Sequence, residues 1–215
     1  MSTYPVSLLI EGRPCYVIGG GRVAERKIEG LLAAGGKITV ISPRITPRIE
    51  QWFEQGRIAV ELRPYREGDL EHAALVFAAT DDESVNIAVC REANGRGLWV
   101  NDAMSAERST FHVPAVLRRG GLTVAVSTEG SSPMLASRLR DELADAYGDA
   151  YGWYVELLGK LRKKLSAMDL SDEQRRERYI RWLDAKDEII SALERDPDGL
   201  RTDDLIAELL EEARE

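Results

Sequence analysis

The chain has 215 residues, of which 44% are hydrophobic and 31% are charged, and its formal net charge is −8 at pH 7. This length can bury the core of one medium-sized α/β domain and a smaller appendage. The negative charge, most of which follows residue 170, argues against nucleic acid as a partner. The sequence shows no apolar run long enough for a membrane span and no signal peptide in residues 1–5, so we expect a cytoplasmic protein.

A glycine-rich turn follows the first predicted strand. The strand ends at Ile18 and runs into the pattern Gly19-x-Gly21-x-x-Ala24, after which a helical periodicity begins. The first glycine allows a tight bend, the second lets the backbone approach a pyrophosphate, and alanine keeps the helix close to its strand. The pattern predicts a dinucleotide site with the phosphates at the start of the helix. The residues expected at the cofactor here are Gly19, Gly21, Arg22 and Val23.

Strand and helix patterns then alternate along the chain. The predicted elements are a helix over 22–34, a strand over 37–42, a helix over 46–55, and strands over 58–62, 75–79 and 98–100. A capping box places Thr80 as the N-cap of a helix, with Glu83 at its third position. This alternation predicts a parallel sheet covered on both sides, which is a Rossmann-like α/β fold.

The rhythm changes after Asn101. Two extended segments, 110–117 and 122–127, joined by 118–121, predict a β-hairpin. Ser132 and Pro133 then open a helix, and the chain reads as helical to its end, with a capping box at Ser171 and Gln174, a break at 196–199 and a last helix from Thr202. We expect three domains: an NAD-binding domain over 1–112, a dimerisation hairpin and helix over 113–147, and a helical domain over 148–215.

Five motifs resemble one family, the precorrin-2 dehydrogenases, which form the NAD-dependent module of siroheme synthases. In chain order they are GGGRVAERK at 19–27, TVISP at 39–43, AATDD at 78–82, FHVPA at 111–115 and VAVSTEGSSP at 124–133. Their order and spacing cover about residues 4–145, and no second GxG domain follows. The resemblance implies that NAD accepts a hydride from precorrin-2, that a proton leaves and that sirohydrochlorin forms. It also implies a homodimer assembled through the hairpin segment.

The resemblance also implies positions for ligands. Thr80 and Asp81 are expected at the cofactor, and the residues expected at the substrate are Asn101, Met104, Ser127, Thr128, Gly130, Ser131 and Ser132. The last five precede a helix N-terminus and supply hydrogen-bond donors for a tetrapyrrole that carries eight carboxylates.

The family's acid–base residue is missing from its usual position. Family members commonly carry an aspartate three residues after the asparagine that ends the fifth strand, and Met104 stands there. Asp102 points to the same face of an extended segment and is our candidate replacement, the alternative being an ordinary loop residue. His112 is the second candidate, because a histidine can accept a proton near neutral pH, although a structural role in the hairpin is the alternative.

The ribose end of the cofactor site has no acidic residue after the second strand. Ser42, Pro43 and Arg44 stand there, so Ser42 could bond a ribose hydroxyl while Arg44 could meet a 2′-phosphate. The family resemblance favours NAD.

Two other functions fit the sequence. One is a Rossmann dimer that senses NAD or acts as a scaffold without catalysis, and Met104 is the residue that suggests it. The other is a sirohydrochlorin chelatase with little dehydrogenase activity. The two cysteines, Cys15 and Cys90, lie in apolar patterns without CxxC spacing, so we expect reduced thiols and no resident metal.

Overall fold

The computed structural model describes residues 3–195, 205–207 and 209. It divides into two compact units, Met1–Val113 and Pro114–Glu215. The predicted break at 196–199 lies outside the described residues. Of the predicted last helix, which starts at Thr202, only residues 205–207 and 209 are described, and they are helical. The finer division into three domains, with a boundary after residue 147, stays a prediction.

The first unit is a five-stranded parallel sheet with helices. Its strands are β1 (Pro14–Ile18), β2 (Lys37–Ile41), β3 (Ala59–Glu61), β4 (Leu75–Ala78) and β5 (Trp99–Asp102), in the order β3-β2-β1-β4-β5. Its helices are α1 (Arg22–Ala33), α2 (Pro47–Glu54) and α3 (Glu83–Gly95). The strand order reverses between β1 and β4, and the Rossmann-like prediction is therefore confirmed.

The central strands are apolar because both faces of the sheet are covered. All four residues of β4 are buried, and they pair with β1 on one side and β5 on the other. Ala24 of α1 is fully buried in the same core cluster as Val17, which agrees with the close helix–strand packing expected of alanine in the third position of the turn. The packing therefore brings the carboxyl ends of β1 and β4 together at one edge of the sheet.

The second unit begins with a hairpin, β6 (Ala115–Arg119) and β7 (Leu122–Val126), in which Arg119 pairs with Leu122. The first strand of the hairpin was predicted over 110–117, so both its start and its end were placed too early. Thr110 belongs next to β5, where its N–H donates to the Val100 carbonyl at 2.8 Å. The predicted turn was also too long, since β6 continues through Arg119 and leaves Gly120 and Gly121 as the turn. Gly120 has a φ of 51°, which glycine adopts without strain.

Between the hairpin and residue 195 the chain forms four helices: α4 (Pro133–Ala146), α5 (Ala150–Ser166), α6 (Asp172–Asp184) and α7 (Lys186–Glu194). Ser132 caps α4 as expected, and both hydrogen bonds of the predicted box between Ser171 and Gln174 are present at the start of α6. The helical core gathers on one stripe of α5, whose buried apolar residues include Tyr154, Leu157, Leu158, Leu161 and Leu165.

Candidate functional site

A cleft of about 900 Å³ opens at the carboxyl ends of the strands in the first unit. It lies at the reversal of strand order between β1 and β4, where open α/β sheets bind their ligands. All nine residues that the sequence predicted at the cofactor line it: Gly19, Gly21, Arg22, Val23, Ser42, Pro43, Arg44, Thr80 and Asp81. The fold therefore brings these positions, which span 63 residues of sequence from Gly19 to Asp81, onto one surface.

The glycine turn is built for close backbone contact. Gly19 has a φ of 120°, and a Cβ there would stand 2.3 Å from the Ala79 carbonyl oxygen. A Cβ at Gly20 would stand 2.1 Å from the Arg44 carbonyl oxygen. At Gly21 a Cβ would meet no protein atom within 4 Å, so this glycine faces open space in the cleft.

The start of α1 can bind the phosphates of a dinucleotide. Gly21 is the N-cap of the helix, and no side chain caps the first-turn N–H groups. Together with the positive end of the helix dipole, these donors favour an anion beside Gly21. The open space at Gly21 is where a pyrophosphate would approach, so the residues present fit NAD.

The segment after β2 is fixed against the glycine turn. The Ser42 hydroxyl donates to the Arg44 carbonyl at 2.6 Å, and the Thr46 N–H donates to the Gly20 carbonyl at 3.0 Å. Ser42 is buried, whereas the Arg44 side chain is exposed on the cleft wall. No carboxylate stands at the end of β2, so an arginine and a hydroxyl occupy the place where an NAD site usually carries an acidic residue.

The segment after β4 has a different cap from the one predicted. Asp82, not Thr80, is the N-cap of α3, and its carboxylate accepts from the Ser84 N–H at 2.8 Å. The Ser84 hydroxyl and the backbone N–H groups at the helix start lower the pKa of Asp82. Thr80 instead bonds the buried side chain of Asn86, whose Oδ1 accepts from the Thr80 N–H at 3.2 Å and the hydroxyl at 2.8 Å. Asn86 therefore holds the turn that carries Thr80 and Asp81.

The residues predicted for catalysis and substrate lie in different surroundings. Met104 lines the cleft and is 54% exposed. Asp102 and Asn101 are buried and do not line it. The Asn101 side chain donates to the Phe111 carbonyl at 3.1 Å and thereby fixes the segment after β5. His112 is exposed and precedes β6, so it lies outside the hairpin where the sequence placed it.

The predicted hydroxyl-rich segment lies in the second unit, between β7 and α4. Here Ser127 accepts from the Glu129 N–H, Thr128 accepts from the Ser132 N–H, and Ser132 caps α4 through Leu135. Gly130, with a φ of 84°, allows the bend, and Ser131 is exposed beside it. The hydroxyls thus shape their own loop, and their contact with substrate stays a prediction.

Asp102 occupies a position that the sequence did not reveal. Its side chain is completely buried and lies 2.6 Å from Nε of Arg108, a residue that the sequence analysis did not single out. The Cys90 thiol lies 3.9 Å from the same carboxylate, and burial raises the pKa of that thiol to about 11. An arginine six residues after a strand-end aspartate was the available signal, but a loop has no periodicity to indicate which of its side chains turns inward.

Two features bear on metals and membranes. In the described part of the chain, no three histidine, cysteine or acidic side chains group closely enough to hold a metal ion. Over the same residues, no helix combines the length and the apolar character that crossing a bilayer requires. Both cysteines are free and buried.

Comparisons with known proteins agree with this geometry. Residues 6–115 match a family model described as "Putative NAD(P)-binding", and residues 119–146 match one described as "Sirohaem biosynthesis protein central". The chain is 33% identical to a precorrin-2 dehydrogenase of Priestia megaterium, over 84% of this chain and 89% of that protein. It is 38% identical to a siroheme synthase of Methylobacillus flagellatus over 86% of this chain, but it spans only 39% of that protein.

A solved structure shows the same fold along the chain. It is described as SirC, precorrin-2 dehydrogenase, and it matches with a TM-score of 0.79 and 30% identity over 99% of both chains. The match thus covers the residues of the parallel sheet, of the hairpin and of the helices. With the family model over its first half and a relative matched over nearly nine tenths of that relative's length, the chain belongs to the precorrin-2 dehydrogenase family.

Proposed function

We propose that this protein oxidises precorrin-2 to sirohydrochlorin with NAD as the hydride acceptor. One observation carries the proposal: in a chain of this family, every predicted cofactor residue lines a single cleft at the reversal point of the sheet. A cytoplasmic location and a homodimer belong to the same proposal. The two free thiols are consistent with a reducing compartment, and exposed apolar side chains on α4 are consistent with a subunit interface.

The chain's residues would divide the work as follows. The backbone at Gly21, Arg22 and Val23 would bind the pyrophosphate, while Ser42 and Arg44 would bind the ribose end. NAD, when bound, supplies the acceptor for the hydride that leaves precorrin-2. Ala103 and Met104 would form an apolar part of the cleft wall. Neither would take part in proton transfer, because a methyl group and a thioether have no proton to exchange.

A proton must also leave the substrate, and the sequence offers Asp102 and His112 for it. The two differ in access, because His112 is exposed whereas the Asp102 carboxylate is buried and paired with Arg108. Neither side chain lines the cleft, and exposure alone favours His112 as the group that takes the proton, since a buried and paired carboxylate is closed to the substrate. General acid–base assistance of this kind typically accelerates a reaction by about 10²- to 10⁴-fold, so His112→Asn should lower kcat by that range if His112 carries the proton.

The direct test uses precorrin-2 made in situ. The protein would be incubated with it and NAD under anaerobic conditions, while absorbance follows NADH and sirohydrochlorin. We expect both to form in equal amounts, and Gly21→Val should abolish both. If neither forms while a known precorrin-2 dehydrogenase is active in the same mixture, the proposal is wrong and the sensor or scaffold function gains support. Cobalt or iron added in a second step tests chelation separately.

A further inference from the structure

The buried carboxylate of Asp102 is the centre of a local network. It accepts from Arg108 Nε at 2.6 Å and from the Met104 N–H at 2.8 Å. The Asp102 N–H donates to the Ser109 hydroxyl oxygen at 2.9 Å. Side-chain and backbone groups of this one residue thus bind the segment that follows it at three points, Met104, Arg108 and Ser109.

Arg108 extends the network to the neighbouring helix. Its guanidinium donates through Nη1 to Glu83, the first residue of α3, at 3.0 Å. Glu83 is 61% exposed at its side chain, whereas the Asp102 side chain is 0% exposed. The inner bond is therefore shielded from solvent, and the outer one is the weaker of the two.

The segment held in this way forms part of the cleft. It leaves the sheet at Ala103, whose N–H donates to the Ala78 carbonyl at 2.9 Å, and returns at Thr110, which pairs with Val100. Between these anchors, Ala103 and Met104 line the cleft next to the turn after β4. The position of Met104 depends on its backbone bond to Asp102.

We propose that Asp102 and Arg108 form a clamp that positions residues 103–109 as one wall of the cofactor cleft, and that Asp102 is a positioning residue instead of the proton acceptor. The proposal rests on the proposed function only for its effect on turnover. Its effects on NAD affinity and on the segment itself are independent of the reaction. Ala103 and Met104 are the residues through which the clamp acts.

The clamp predicts that its two charged members behave as one unit. Either change breaks the same Arg108–Asp102 bond. Loss of Arg108 leaves the fully buried Asp102 carboxylate without its counter-charge, whereas loss of the carboxylate leaves the partly exposed Arg108 bonded only to Glu83. Asp102→Asn and Arg108→Gln should therefore have similar effects, and the double variant should be no worse than the more damaging single one. A proton acceptor would behave differently, since Asp102→Asn would then lower turnover more than Arg108→Gln, a change at a residue that does not line the cleft.

The experiment compares Asp102→Asn, Arg108→Gln, Arg108→Lys and the Asp102→Asn/Arg108→Gln double variant. Calorimetry would measure NAD affinity, and hydrogen exchange would measure protection of the amides of 103–110. Kinetics over pH would give the profile of kcat/KM. Arg48→Gln is the matched control, because Arg48 is an exposed arginine paired with Glu29 and does not line the cleft.

We expect both single neutralising variants to expose the amides of 103–110 and to weaken NAD binding by the same factor, on the order of tenfold. Arg108→Lys should recover part of the loss, the shape of the pH profile should persist, and Arg48→Gln should match the wild type. The clamp is refuted if Asp102→Asn leaves exchange and NAD affinity unchanged. It is equally refuted if Asp102→Asn removes a limb of the pH profile while Arg108→Gln retains full turnover. If neither the wild type nor any variant oxidises precorrin-2, the hydrogen-exchange and NAD-affinity data still show whether Asp102 and Arg108 position residues 103–109.

Discussion

The carbonyl group of Arg44 lies directly against the α-carbon of Gly20, so that a Cβ at position 20 would stand only 2.1 Å from its oxygen. The glycine turn is thus locked to the segment after β2 by contact as well as by the bond from Thr46 to Gly20. Two adjacent glycines consequently serve different purposes, since Gly20 faces protein and Gly21 faces the open cleft.

This difference predicts opposite outcomes for two substitutions. Gly20→Ala should lower the free energy of unfolding, because the Arg44 backbone must move to admit the methyl group. Gly21→Val should leave the thermal stability nearly unchanged but abolish NAD binding, because its side chain fills the space that the pyrophosphate needs. Thermal unfolding and calorimetry with NAD would measure both. Unchanged NAD affinity in Gly21→Val would remove the cleft from consideration as the cofactor site.

Arg44 predicts the cofactor preference. Its side chain is exposed at the cleft where an NAD-specific site would carry a carboxylate. Arg44→Ala should weaken binding of NADP more than binding of NAD, and Arg44→Glu should do so more strongly. Titration with both dinucleotides and with 2′,5′-ADP measures the ratio, with Arg48→Ala as the control. Identical ratios in all variants would show that Arg44 does not reach the ribose.

The exposed apolar side chains of α4 predict a subunit interface. Met134 is 84% exposed, Leu135 47% and Leu139 37%, and the hairpin beside them presents a half-buried apolar face. We expect a dimer at micromolar concentration by light scattering, and Met134→Asp should shift it toward monomer because a charge would enter the interface. Arg138→Ala, a change of an exposed residue on the same helix, controls for helix stability. A fully active monomeric wild type would contradict this prediction.

Glu92 predicts how stability depends on pH. Burial raises the pKa of its carboxyl, but bonds from the Tyr65 hydroxyl and from the N–H groups of Gly68 and Leu70 outweigh burial and lower it. A lowered pKa contributes stability above the ordinary value of about 4.3, and that contribution is lost as pH falls through the folded value. Urea unfolding from pH 7 to pH 3 should show a steep loss of stability below pH 4.3.

Glu92→Gln should make that loss shallower and lower the stability at pH 7. Glu142→Gln, which changes an exposed carboxyl, serves as the control. Equal slopes in the wild type and in Glu92→Gln would show that this carboxyl is not a source of the acid sensitivity.

The parts of the fold that could be predicted are those with periodic or steric signatures. The strand predicted over 75–79 contains β4, whose residues are all buried, and α5 lies in the part of the chain that was predicted to be helical. The glycine turn was predicted as well, and the φ of 120° at Gly19 is one that glycine adopts readily. The cap of α3 was misplaced by two residues, since Thr80 and Asp82 are both good caps and the choice depended on the buried Asn86. The bond from Thr80 to Asn86, six residues later on the same helix, is not part of the capping patterns used to place the helix start.

The surroundings of Asp102 could not be predicted for a related reason. The alternation of a strand indicates which side of the sheet a side chain faces, but not whether a later loop residue will cover it. Arg108 lies in the non-periodic loop after β5 and pairs with the strand-end carboxylate, which is completely buried. The predicted cofactor residues, by contrast, follow the carboxyl ends of parallel strands, and the order of the strands in the sheet brings those ends together.

Met104 is held by its main chain, whereas its side chain projects, half exposed, at the cleft. The hydrogen bond that holds this part of the cleft wall therefore does not depend on which side chain residue 104 carries. A carboxylate and a thioether can occupy position 104 without any change in the backbone bond that supports it. Within this fold, the chemistry presented at position 104 can therefore evolve separately from the architecture that presents it.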